Sequence, residues 1–137
     1  MDQAAALLFR ILPGVANIAG EAVDVLLVTS RDTGRWVLPK GNIDVGESAA
    51  DAAAREALEE AGASGLIFPD PIGSYSYAKR EHGGGARQVA VYPMRVRDLA
   101  ADWPERKQRE RQWFSRAKAA QLVEESGLAA LIAGFRG

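Results

Sequence analysis

The sequence predicts an α/β fold, a mixed β-sheet with helices on both faces. Three observations carry that prediction. Short apolar runs rich in Val and Leu, such as residues 22–30 (AVDVLLVTS) and 88–96 (QVAVYPMRV), have the length of strands. One alanine-rich stretch, residues 48–61, reads as a helix lying between strand segments. Two further helical segments, residues 116–124 and 128–135, close the chain and are split by Ser126-Gly127.

Taken in order, residues 4–12 are apolar and read as the first strand. Pro13-Gly14 and Gly20 place a loop before the second strand at residues 22–30. Residues 31–34 (RDTG) form a turn, and residues 35–38 a short strand that Pro39 ends. Two glycines make residues 41–46 a loop. Ser48 is a natural N-cap for the helix that follows, and Gly62 stands where a C-terminal glycine belongs. Residues 66–68 and 72–77 read as strand segments, and residues 79–85 (KREHGGG) as a turn or substrate loop. Pro93 predicts a bulge or an edge within the strand at 88–96, and residues 110–114 make a last short strand.

Composition narrows the chemistry. At 137 residues the chain has the length of one domain, 1–137. It has no cysteine, which excludes disulfides, thiolate zinc, iron–sulfur clusters and a cysteine nucleophile. His82 is the single histidine, so a metal would be held mainly by oxygen, as Mg²⁺, Mn²⁺ or Ca²⁺ are. His82 reads as an exposed loop residue, and no G-x-S-x-G supports a serine triad through it. The N-terminus lacks a basic start and a long apolar run, and no apolar stretch approaches ~18 residues. The expectation is a cytoplasmic protein, monomer or homodimer, that spans no membrane. A pI near 5.9 argues against binding nucleic acid polymers. Trp36, Trp103 and Trp113 read as core.

The net charge of −1 is unevenly spread. Asp44, Glu47, Asp51, Glu56, Glu59 and Glu60 lie between Gly41 and Ala63 with only Arg55 to balance them. Glu56, Glu59 and Glu60 stand at i, i+3 and i+4, so their carboxylates share one helix face. Ala50, Ala54, Ala57, Leu58 and Ala61 form the opposite arc, small enough to lie close to a sheet. Carboxylates at this spacing repel by a few tenths of a kcal/mol per pair, ~0.2–0.5. Arg55 relieves one, and a divalent cation would satisfy the others. On its own, an E-x-x-E-E triplet is equally a solvated helix face.

The wider spacing decides between them. Gly41, five residues, Glu47, seven residues, and then Arg55-Glu56-Ala57-Leu58-Glu59-Glu60-Ala61-Gly62-Ala63 resembles the box of the Nudix hydrolases, G-x5-E-x7-R-E-U-x-E-E-x-G-U with U apolar, at every position from 41 to 63. Seven such residues would coincide at a given start with a probability on the order of 10⁻⁹. The resemblance implies an α/β/α sandwich with the box as loop–helix–loop. It also implies hydrolysis of phosphoanhydrides with Mg²⁺ or Mn²⁺. By resemblance, Glu56, Glu59 and Glu60 are metal ligands and catalytic carboxylates, the Gly41 carbonyl is a further ligand, and Glu47 and Arg55 pin loop to helix.

The flanks are similar to the diphosphoinositol polyphosphate phosphohydrolases. They comprise Thr29-Ser30-Arg31, Trp36-Val37-Leu38-Pro39-Lys40-Gly41, Asp102-Trp103-Pro104-Glu105, Arg109-Glu110-Arg111-Gln112-Trp113-Phe114 and Ala117. That resemblance implies a small phosphorylated substrate, an inositol pyrophosphate or a dinucleoside polyphosphate. Arg31 and Arg87, with Arg109 or Arg111, match its basic positions, and Lys40 beside the box is a further phosphate contact. The same chemistry on ADP-ribose or a nucleoside triphosphate is the alternative. A ligand sensor without catalysis is a third reading, which the full carboxylate set argues against.

Overall fold

Alternation along the first strand sets up the two layers of the core. β1 (Gln3–Ile11) sends Ala4, Ala6 and Leu8 to one face of the sheet and Ala5, Leu7 and Phe9 to the other. The computed structural model describes residues 2–78 and 84–137. Of the loop expected at 79–85, residues 79–83, with His82, lie outside the described residues. The remaining strands are β2 (Val23–Thr29), β3 (Trp36–Val37), β4 (Lys40–Asn42), β5 (Ala63–Ile67), β6 (Gly73–Ala78), β7 (Ala86–Leu99) and β8 (Arg111–Ser115). The helices are α1 (Ala49–Ala61), α2 (Arg116–Leu122) and α3 (Ser126–Gly134).

The sheet is mixed, as predicted. β1 and β7 run parallel at its centre and every other pairing is antiparallel. One edge of β1 is divided between β4 and β2, and one edge of β7 between β6 and β5. α1 covers one face, packing Ala52, Ala53, Ala57 and Ala61 on Ala4, Ala6, Leu8 and Leu26. α2 and α3 cover the other, where Ala119, Leu128, Ile132 and Phe135 meet Leu7, Phe9, Val25 and Leu27. The result is the α/β/α sandwich. Among the described residues no helix is long and apolar enough to cross a membrane.

Several expectations need correction. The loop at 41–46 begins with strand: Lys40, Gly41 and Asn42 pair with Ala5, Ala4 and Gln3. β5 starts directly after Gly62 rather than at residue 66, and β7 runs from 86 to 99 rather than 88 to 96. Pro93 lies on no edge strand. Its carbonyl accepts from the Phe68 N–H at 2.9 Å, so its missing donor faces the place where β5 gives way to β6. A 3₁₀ turn, Ile18–Gly20, stands in the loop expected before β2. α3 begins at Ser126, so the break between the last helices falls at residues 123–125. The three tryptophans are half-buried: Trp36 and Trp113 pack against the two core layers, and Trp103 lies outside them. Trp113 and Trp103 lie under Arg10 and Arg111, with guanidinium carbons 4.2 and 4.0 Å from the ring centroids.

Candidate active site

The helix that carries the acidic triplet is fixed at both ends by its own sequence. The Ser48 hydroxyl accepts from the Asp51 N–H at 3.0 Å, and Gly62 closes the helix at φ 64°. Its buried face is Ala52, Ala53, Glu56, Ala57, Glu60 and Ala61, while Leu58 is 49% exposed. The arc expected to pack, with Ala50, Ala54 and Leu58, is therefore turned partly outward. Glu56 and Glu60 point inward at 8% and 5% exposure, and Glu59 stays outside with its side chain 41% exposed.

Arg55 ties this helix to the preceding loop. It grips Glu47 bidentately, with Nε and Nη2 each 2.9 Å from a carboxylate oxygen. It also donates to Glu56 at 3.1 Å and to the Asn42 carbonyl at 3.0 Å, and stands 3.8 Å from Glu59. The hydrogen bonds from Arg55 hold the Glu47 carboxyl below its usual range, and the Asp44 N–H donated to it adds to this. Gly41 lies against Glu56 so closely that a Cβ there would fall on the carboxylate. A side chain at this position would force the Glu56 carboxylate out of its place.

Burial pushes the Glu60 carboxyl up to about 8, against the attraction of Arg109. Burial also raises Glu56, reinforced by the charge of Glu59. Burial and the neighbouring carboxylate charges work against ionising both carboxyls at once. Among the described residues no three His, Cys, Asp or Glu side chains stand in metal-ligating geometry. In this arrangement Arg55 draws Glu56, and Arg109 Nη2 stands 3.6 Å from Glu60. Two buried carboxyls that resist ionising together are nevertheless a fitting donor set for an oxygen-seeking divalent cation, whose charge would offset that resistance.

Glu60 opens onto a cleft of about 510 Å³ that also contains Arg31, Lys40 and Arg87. All three residues expected to meet phosphate thus share one cavity with one box glutamate, although they come from the end of β2, from β4 and from β7. The Lys40 ammonium lies 4.5 Å from the centre of the Tyr77 ring, and the Lys40 backbone N–H donates to the Glu60 carboxylate at 3.4 Å. Arg31 is mostly exposed, donating to Gln108 at 3.1 Å. Arg87 has no acidic partner among the described residues. Of the pair Arg109 and Arg111, only Arg109 lines the cleft. Arg111 points away and donates to the carbonyls of Ala61 and Ala100, each at 2.8 Å.

The lining residues that sequence reasoning missed include Gln3, Asp32, Arg35 and Tyr77. Asp32 and Arg35 sit in the charged turn after Arg31, a signal available in the sequence. Gln3 and Tyr77 are joined by a 2.8 Å hydrogen bond across the sheet, which no local pattern announces.

The model of the NUDIX domain family matches residues 10–134. Nudix hydrolase 16, mitochondrial, of Arabidopsis thaliana is 32% identical over 123 residues, 85% of this chain and 68% of the relative. Diphosphoinositol polyphosphate phosphohydrolase 2 of Rattus norvegicus is 32% identical over 104 residues, 74% of this chain and 55% of the relative. The chain spans between about half and two thirds of the length of the curated relatives it matches. The crystal structure of the C. elegans Ap4A hydrolase superposes with a TM-score of 0.66 at 20% identity, covering 97% of this chain and 93% of that one.

Proposed function

The chain belongs to the Nudix family, and from that premise we propose that it is a divalent-cation-dependent pyrophosphohydrolase acting on a small, polyphosphorylated substrate, a diphosphoinositol polyphosphate or a dinucleoside polyphosphate. One observation carries the reading: among the described residues, Arg31, Arg35, Lys40, Arg87 and Arg109 line a single cleft against two acids, Asp32 and Glu60. Such an excess of cations beside a carboxylate suits a chain of phosphates reaching toward a metal. The name of the rat relative supports the first substrate class.

Glu56, Glu59 and Glu60, with the Gly41 carbonyl, would hold Mg²⁺ or Mn²⁺. When bound, such an ion neutralises phosphate charge and acidifies the attacking water. The rest falls to side chains. Arg31 and Arg87 orient the distal phosphates, Lys40 and Arg109 flank the phosphates nearest Glu60, and Arg55 with Glu47 holds the loop beneath. Water forms a new P–O bond as the anhydride P–O bond breaks, and its proton leaves to a carboxylate base of the helix.

Steady-state kinetics with Mg²⁺ on a panel of inositol pyrophosphates, dinucleoside polyphosphates, ADP-ribose and nucleoside triphosphates tests this. The highest kcat/KM is expected on a substrate with four or more phosphates. A preference for ADP-ribose or a triphosphate would replace the substrate class. Full activity in excess EDTA would reject the metal dependence, and tight binding without turnover of any member would reject the hydrolase reading itself.

A further inference from the structure

Residues 100–110 connect β7 to β8 and wrap the C-terminal end of α1. Their docking uses helix carbonyls. The Glu105 N–H donates to the Glu59 carbonyl at 3.1 Å, Trp103 Nε1 to that of Glu60 at 3.1 Å, and Arg111 to that of Ala61 at 2.8 Å. None of these contacts needs the Glu105 carboxylate, which faces the cleft wall instead. There it accepts from Arg109 Nε at 2.7 Å and stands 3.9 Å from Arg31 Nε.

Arg109 is nearly buried, with its side chain 9% exposed. Its Nη1 donates to the Thr29 carbonyl at 3.0 Å, and its Nη2 stops 3.6 Å from Glu60 Oε1, within ion-pair range but beyond a normal hydrogen bond. Two anchors therefore hold the guanidinium just short of Glu60.

We propose that Glu105 is a positioning residue: its carboxylate holds Arg109 back from Glu60 and so leaves Glu60 free for a divalent cation. The inference rests on the metal-dependent reading above. Among the described residues, Arg109 without the Glu105 carboxylate keeps the Thr29 carbonyl as its hydrogen-bond acceptor, and Glu60 is the acid left within 4 Å. In so buried a place the closed pair would be a strong, charge-assisted one that an incoming cation must displace. The same carboxylate also lies beside Arg31, so one side chain orders two of the cleft's cations.

The test is Mn²⁺ binding to the substrate-free protein, read from the loss of the free-ion electron paramagnetic resonance signal. Glu105→Ala is expected to weaken binding by ~10-fold or more when Arg109 is present and by ~2-fold or less in an Arg109→Gln background, because only the former has a guanidinium to collapse onto Glu60. Glu105→Gln, which keeps an acceptor without the charge, should fall between. Melting temperatures check that each variant folds. An equal loss in both backgrounds would mean that Glu105 acts on the ion directly or through its own charge, and would overturn the proposal. So would unchanged binding in Glu105→Ala. Wild-type protein that binds no Mn²⁺, or Glu60→Gln that binds it normally, would instead overturn the metal reading, and the proposal with it.

Discussion

Glu60 concentrates the tension of this molecule. It is a carboxyl 5% exposed, beside Glu56 and within reach of Arg109, and burial pushes it up to about 8 from an ordinary 4.5. The folded state therefore keeps a proton that the unfolded chain gives up above about 4.5. In EDTA, stability should be greatest toward pH 5 and fall as pH rises through 8. Glu60→Gln removes the titrating group, so it should flatten that decline while lowering kcat by ~10²-fold or more. Thermal melts of both proteins from pH 5 to 9 decide the matter, and parallel curves would refute the assignment. The triplet itself was legible in the sequence because i, i+3, i+4 is a local relation. Its inward turn was not. Alanines at 49, 50, 52, 53, 54, 57 and 61 surround the helix and leave no single apolar direction from which to read the packed side.

Among the elements, α1 is the one that everything else serves, and its C-terminal end is closed from outside. Arg111 alone satisfies two carbonyls, those of Ala61 and Ala100, while stacking on Trp103. Arg111→Ala leaves both acceptors unpaired in a half-buried place and should cost about 1–3 kcal/mol. The loss appears as an earlier urea midpoint with an unchanged slope, and a midpoint equal to wild type would contradict it. The family flanks suggested a phosphate contact for Arg111 or Arg109. They could not separate the two, because Arg109 lies in the connection before β8 while Arg111 opens the strand, so strand alternation does not relate their directions. Long apolar strands such as β1 and β2 were readable from composition. β4 was not: Lys-Gly-Asn carries no apolar alternation and is a strand only because β1 supplies its partners. β5 was read late for the same reason, since Ala63-Ser64-Gly65 looks like a loop until β7 lies beside it.

At the scale of the whole molecule, the cleft is a product of topology. Arg31 follows β2 and Arg87 opens β7, yet both reach the cavity of Glu60. Arg31→Ala and Arg87→Ala should each raise KM for dinucleoside polyphosphates or inositol pyrophosphates by ~10-fold or more, since a charge-assisted contact contributes ~1.5–3 kcal/mol. Turnover of ADP-ribose should hardly change, and equal losses on both classes would assign the arginines to a shared pyrophosphate or to the fold. The sequence made these residues visible singly but not their meeting, which depends on pairings across the length of the chain. The central parallel pair also imposes an order in time. β1 meets its inner neighbour at residues 89–95, and among the described residues β5 and β6 pair with no strand but β7. During synthesis the acidic helix and the β1, β2 and β4 surface it packs on are therefore made well before β7, the strand that completes the sheet, and closing so distant a pairing is slow. A chain stopped at residue 85 contains every residue of the box. It is expected to show no cooperative melt by circular dichroism and to bind no Mn²⁺, leaving the newborn segment dependent on whatever shields apolar strands until β7 emerges.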